Sequence, residues 1–175
     1  MDFLSKNEKI IEKEFIEKGF IIREAANKDA LNKIQKFVID MLTSKGGDSL
    51  DHAHKNISIS ELNDFRLDVI NELNAQPWLR EAYYKIAKPY LDILVGNELA
   101  MQSRVNLSIQ LPEDDSSLLP VHADTWSGDS PFEVVVWLPL VNCYETKSMF
   151  LLSPKASNNL SDEFKLHAQG NSEEL

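Results

Sequence analysis

The sequence predicts an α+β chain, with a helical N-terminal region over residues 1–98 and a strand-rich region over residues 99–175. Three observations carry this. Apolar residues recur at helical spacing through the first half. Two-residue alternation begins at Met101. Proline and turn-forming residues then divide the remainder into short segments. A run of helices followed by a run of strands is the pattern of α+β organisation, or of a β-sandwich with helical cover.

The first helix is expected around Ile10, Ile11 and Phe15, stopped at Gly19. The stretch 20–23 reads as a short strand. Asn27 is placed to cap a second helix whose apolar face is Leu31, Ile34, Phe37, Val38, Met41 and Leu42, closed by Gly46 and Gly47. A polar loop with His52 and His54 follows. Ser58 and Glu61 have capping-box spacing before a third helix carrying Leu62, Phe65, Val69, Ile70 and Leu73. Pro77 opens a fourth helix that ends near Gly96, with Pro89 inside it as an expected kink or break.

Beyond Leu99 the period changes. Val105, Leu107, Ile109 and Leu111 alternate with Arg104, Asn106, Ser108 and Gln110, which is strand spacing. An acidic loop, 112–117, leads into Leu118–His122 and then a turn-rich stretch, 124–131. Residues 132–140 form a β-branched and aromatic run ended at Pro139. Residues 148–152 form another short apolar strand, stopped by Pro154. The polar tail reads as a short helix ending near Gly170. About four strands can be counted, whereas a jelly roll needs roughly eight.

Composition narrows the function. The 175 residues are 43% hydrophobic and 26% charged, as in ordinary globular domains. A net charge of -10 opposes nonspecific binding to nucleic-acid phosphates or to an anionic membrane. A small neutral substrate, or one whose charge is met inside a pocket, suits it. Cys143 is the only cysteine, so no intrachain disulfide forms. With no apolar leader and no membrane-length run, the sequence reads as a soluble cytoplasmic protein.

The sharpest local feature is Val121-His122-Ala123-Asp124. On an extended backbone, residues two apart point to the same side, so an imidazole and a carboxylate can take adjacent positions on one metal ion. Non-haem iron(II) oxygenases use two histidines and one carboxylate on one face of the metal. A surface histidine beside a turn-capping aspartate gives the same tripeptide. The longer segments LLPVHADTWSGDSPFEVVVWLPLV and KSMFLLSP, with LNDFRLDVINEL in the helical part, resemble the iron(II)/2-oxoglutarate-dependent oxygenases of the phytanoyl-CoA-hydroxylase-like group. They are closest to its bacterial branch from sporadic carbohydrate-biosynthesis clusters.

That resemblance implies a double-stranded β-helix, or jelly roll, behind the helical region, the present chain holding its first part. It implies His122 and Asp124 as iron(II) ligands, 2-oxoglutarate and dioxygen as co-substrates, and hydroxylation of a sugar or sugar-linked intermediate. Asn106, Ser108 and Gln110 lie on the more polar strand face, where they could hydrogen-bond 2-oxoglutarate or line the solvent side equally well. Trp137 matches a position beside the co-substrate, with a core role as the alternative. Trp126 and Ser127 would border the substrate opening.

The family pattern continues with a second ligand histidine and a basic residue for the distal carboxylate of 2-oxoglutarate. Neither has a counterpart before Leu175, so a C-terminally truncated, inactive chain is expected, with exposed apolar surface along 132–140 and 148–152. His167 is the one later histidine and reads as a solvated helix residue. His52 and His54 read as surface or pocket-rim residues, and Cys143 as a buried structural thiol. Two other functions fit the same features. One is a non-catalytic binding scaffold with an incomplete metal site. The other is a cupin-type metal-dependent isomerase or hydrolase.

Overall fold

The computed structural model describes residues 3–115, 118–119 and 122–159. Four helices carry the fold: α1 (Lys6–Lys18), α2 (Lys28–Ser44), α3 (Ile59–Asn74) and α4 (Leu79–Leu94). Each begins or ends where local chemistry requires. The Ser5 hydroxyl accepts from the Glu8 N–H while the Glu8 carboxylate accepts from the Ser5 N–H, a reciprocal cap on α1. Gly19, at φ 80°, closes the same helix in the left-handed region that glycine enters without a Cβ penalty. Asn27 Oδ1 accepts from the Ala30 N–H and starts α2. At Pro89 the chain does not break; α4 runs through it to Leu94.

Helix α4 packs against α2 and α1, and α2 packs against α3. Two apolar clusters result. Ala30 and Ile34 of α2, Leu73 of α3, and Leu79, Ala82 and Ile86 of α4 form the first, with Val105. Val38 and Leu42 of α2, with Ile57, Leu62, Phe65 and Val69, form the second. Leu42, Leu79 and Val69 are the most deeply buried side chains. Each contributes on the order of 1.5–3 kcal/mol by leaving water.

The expected sheet is not there. The structure is 53% helical, and no β-strand occurs among the described residues, so the α+β class and the double-stranded β-helix are both overturned. The alternation itself is real. Val105, Leu107, Ile109 and Leu111 turn inward and Asn106, Ser108 and Gln110 outward; residues 133–140 alternate likewise. Leu107, Ile109, Leu111 and Leu140 pack on the second cluster, and Leu138 and Leu140 on the first. Period-two patterning requires one apolar surface to face, and here the helices provide it.

Helix side chains also take the place of neighbouring strands. The Asn74 amide donates to the Val105 carbonyl and accepts from the Val105 N–H, both at 2.8 Å. Arg80 donates to Met101 O at 3.0 Å and Gln35 to Leu140 O at 3.0 Å. The Tyr83 hydroxyl donates to Val136 O. Residues 20–23 and 148–152 likewise run without a ladder. A helical segment over 154–159 closes the described chain, and the rest of the expected C-terminal helix lies outside the described residues.

Candidate functional site

His122 and Asp124 meet. The Ala123 backbone between them is extended, at φ -124° and ψ 137°, so the two side chains leave the same side of the chain. His122 Nε2 lies 3.6 Å from Asp124 Oδ1. Immediately after, the chain tightens into a single 3-10 turn, Asp124–Ser127, closed by Gly128 at φ 98°. The turn is held from outside by the Asp129 N–H, which donates to Asp124 O at 3.3 Å. The Asp124 carboxylate lies beside the imidazole rather than capping a distant helix.

The pair is open to solvent, with side chains 39% and 51% exposed for His122 and Asp124. An imidazole nitrogen and a carboxylate oxygen at this separation suit two adjacent positions on one divalent ion of intermediate hardness. Among the described residues no group of three or more His, Cys, Asp or Glu side chains converges. A third ligand is thus not supplied by any described side chain, and His167 lies outside the described residues.

The remaining predicted site residues lie on exposed stretches of their segments. Asn106 and Gln110 are exposed on the outward face of their segment, as is Ser108. Trp137 is 47% exposed on the outward side of 133–140, which removes the core role. Ser127 is exposed at the end of the 3-10 turn; the Trp126 backbone lies in that turn, and its side chain lies outside the description. His52 and His54 are exposed on a 3-10 helix, Leu50–Lys55, with ring centroids 6.5 Å apart. Cys143 is half-buried, its thiol donating to Val141 O at 3.5 Å.

Two shallow grooves lie elsewhere. One, of about 380 Å³, is lined by Arg80, Glu81, Tyr84, Asn97, Leu99 and Met101. The other, of about 280 Å³, runs past Asp29, Lys33, Trp78 and Lys85, with Lys33 Nζ stacked 4.3 Å above the Trp78 ring. Neither is lined by a residue of the His122 segment.

Sequence patterning missed the residues that position these segments. Asn74, Gln35 and Tyr83 sit on helices, and nothing in their local sequence marks them as clamps for chain 31 to 105 residues away. Searches of protein families, of curated proteins and of solved structures found no match to this chain. No helix among the described residues is long and apolar enough to cross a membrane.

Proposed function

We propose that His122 and Asp124 supply two protein ligands to iron(II) in a 2-oxoglutarate-dependent oxygenase that hydroxylates a small molecule, with a sugar or sugar-linked intermediate as the substrate class. The observation carrying this is the 3.6 Å approach of His122 Nε2 to Asp124 Oδ1 across an extended Ala123. The resemblance of the 118–141 and 147–154 segments to that oxygenase group supports it. The donor set fits: neutral imidazole and carboxylate both bind iron(II) and leave positions for a co-substrate.

Iron(II), when bound with 2-oxoglutarate and dioxygen, supplies the oxidising chemistry. The chain's own contribution is placement. The extended Ala123 holds the two donors on one side, and the 3-10 turn sets the backbone from which the carboxylate extends. Ser127, at the end of that turn, is placed to meet the substrate. Asn106 and Gln110 offer amide donors and acceptors to the carboxylates of 2-oxoglutarate.

A second function is favoured by the lack of a third converging ligand among the described residues. In it the chain is a non-catalytic scaffold whose ligand pair holds a metal weakly. Cobalt(II) titration followed by visible absorption, with succinate formation from 2-oxoglutarate, iron(II) and ascorbate, separates the two. For the oxygenase, His122→Ala and Asp124→Ala each weaken cobalt binding by about ten-fold or more, and succinate formation stops. Because the second ligand histidine and the basic residue are not found in this chain, succinate is measured on a longer chain that carries both, and cobalt binding without succinate formation there supports the scaffold. Cobalt binding unchanged in both variants removes the pair from either function.

A further inference from the structure

The connection between α2 and α3, expected as a polar loop, is an anchored turn. Its 3-10 helix, Leu50–Lys55, sets Leu50 and Ala53 against the second apolar cluster, and Ile57 just beyond is buried there. The Ala53 carbonyl accepts from the N–H groups of both Asn56 and Ile57, and the Asn56 side chain donates to Gly46 O at 3.1 Å. From the later 3-10 turn, Lys147 Nζ reaches Asp51 Oδ1 at 3.6 Å. A 3-10 helix has three residues per turn. With Ala53 turned to the core, His52 and His54 take the two outward faces, and both are exposed.

The two imidazoles nevertheless come together. Their ring centroids lie 6.5 Å apart, with the planes at 74°. Two imidazoles on one tetrahedral ion, with metal–nitrogen bonds of about 2 Å, have centroids roughly 5 Å apart. Rotation of two exposed rings closes that difference without moving the turn. His52 is also oriented from behind. Its Nδ1 lies 3.2 Å from the Ser49 hydroxyl and 3.9 Å from Asp48 Oδ2. In the tautomer with the proton on Nδ1, the Ser49 oxygen accepts it, the Asp48 charge favours it, and Nε2 carries the free lone pair. An acceptor behind the imidazole is how metal-binding histidines are fixed in tautomer and direction. Paired neutral imidazoles suit zinc, copper(II) or nickel, whereas magnesium and calcium take oxygen donors.

We propose that His52 and His54 form a two-imidazole seat for one divalent transition ion of the zinc type at the turn between α2 and α3. The seat shares no residue with the His122–Asp124 pair. Among the described residues no third His, Cys, Asp or Glu side chain converges on the two rings. Water therefore completes the shell, and the ion is exchangeable, unlike one in a closed four-ligand structural centre.

Zinc titration of the full His122→Ala chain tests this with the other ligand pair disabled. It is followed by calorimetry and by ring-proton NMR of the three remaining histidines. The His52 and His54 signals are expected to shift together, along one curve that fits one zinc per chain, and magnesium should shift neither. His52→Ala and His54→Ala, each added to that background, should raise the dissociation constant by at least the roughly ten-fold that loss of an outer-shell partner costs. Both side chains are exposed, so circular dichroism should show unchanged helix content. Zinc that shifts one ring without the other overturns the proposal. So do an affinity left unchanged by either added substitution and an equal response to magnesium. The double variant His52→Ala/His54→Ala is the matching background for the cobalt titration at His122 and Asp124, so the failure of one site leaves the other readable.

Discussion

Asn74 illustrates how much of the fold rests on single polar side chains. Its amide makes both main-chain bonds of Val105 and a third to Ile70 O at 2.7 Å, while Val105 itself is buried. Asn74→Ala leaves a buried N–H and C=O unpaired, and is expected to lower stability by about 1–3 kcal/mol in urea unfolding. Asn74→Asp keeps the acceptor but sets a carboxylate oxygen against the Ile70 and Val105 carbonyls, so it should cost at least as much as alanine. Glu14 makes a different contribution. The Arg23 guanidinium, 2.6 Å away, and then Lys18, hold its carboxyl down at about 2 from an ordinary 4.5. A depressed carboxylate stabilises the fold above its unfolded value and loses that contribution as pH falls toward the folded one. Stability should therefore decline as pH drops from about 4.5 to about 2, and Glu14→Gln should flatten that part of the profile. An acid limb unchanged by the substitution would show that the Arg23 pair contributes nothing to folding.

At the scale of elements, the turn after α2 is the tightest joint. A Cβ on Gly47 would sit 2.4 Å from Leu42 Cγ and 2.7 Å from Leu42 Cδ1. Leu42 is almost fully buried, so it has no free space to move into. Gly47→Ala is expected to cost about 1–3 kcal/mol by overpacking, seen as a lower thermal midpoint with unchanged helix content. Gly19 joins α1 to the 154–159 segment in a similar way, its Cα facing Pro154 at a distance where a Cβ would meet Cδ at 3.1 Å. Its φ of 80° already disfavours any other residue. Removing the Asn27 cap by Asn27→Ala should cost about 1 kcal/mol, since the Ala30 N–H then loses its acceptor. A loss well above that would mean Asn27 also holds the α2 entry by contacts beyond the cap.

Across the whole molecule, the extended segments lie on the helices as single chains rather than as a sheet. Amide hydrogen exchange on dilute protein should show this directly. Protection is expected through α2, α3 and α4 and at Val105, whose N–H is bonded to Asn74. Fast exchange is expected at Val135 and Trp137, whose amides face no acceptor among the described residues. Continuous protection along both 101–111 and 133–140 in the monomer would restore the sheet.

Helix positions were legible because their signals are local. Capping at Asn27, the stop at Gly19 and the apolar stripes of α2 and α3 each depend on residues within a turn or two. The approach of His122 to Asp124 was legible for the same reason: a two-residue spacing on extended backbone brings the side chains together without help from the rest of the fold. Inward and outward faces at 105–111 were equally readable, because alternation reports which side meets an apolar surface; the run 132–140 has no polar alternation, and its faces come only from the structure. It carries no information on whether that surface is a sheet or a helix pair. That choice falls to contacts remote in sequence: Asn74 with Val105, Tyr83 with Val136 and Gln35 with Leu140. Main-chain hydrogen bonds have no sequence code of their own, so only the packed chain decides whether a strand-like segment finds another strand or, as here, the side chains of a helix.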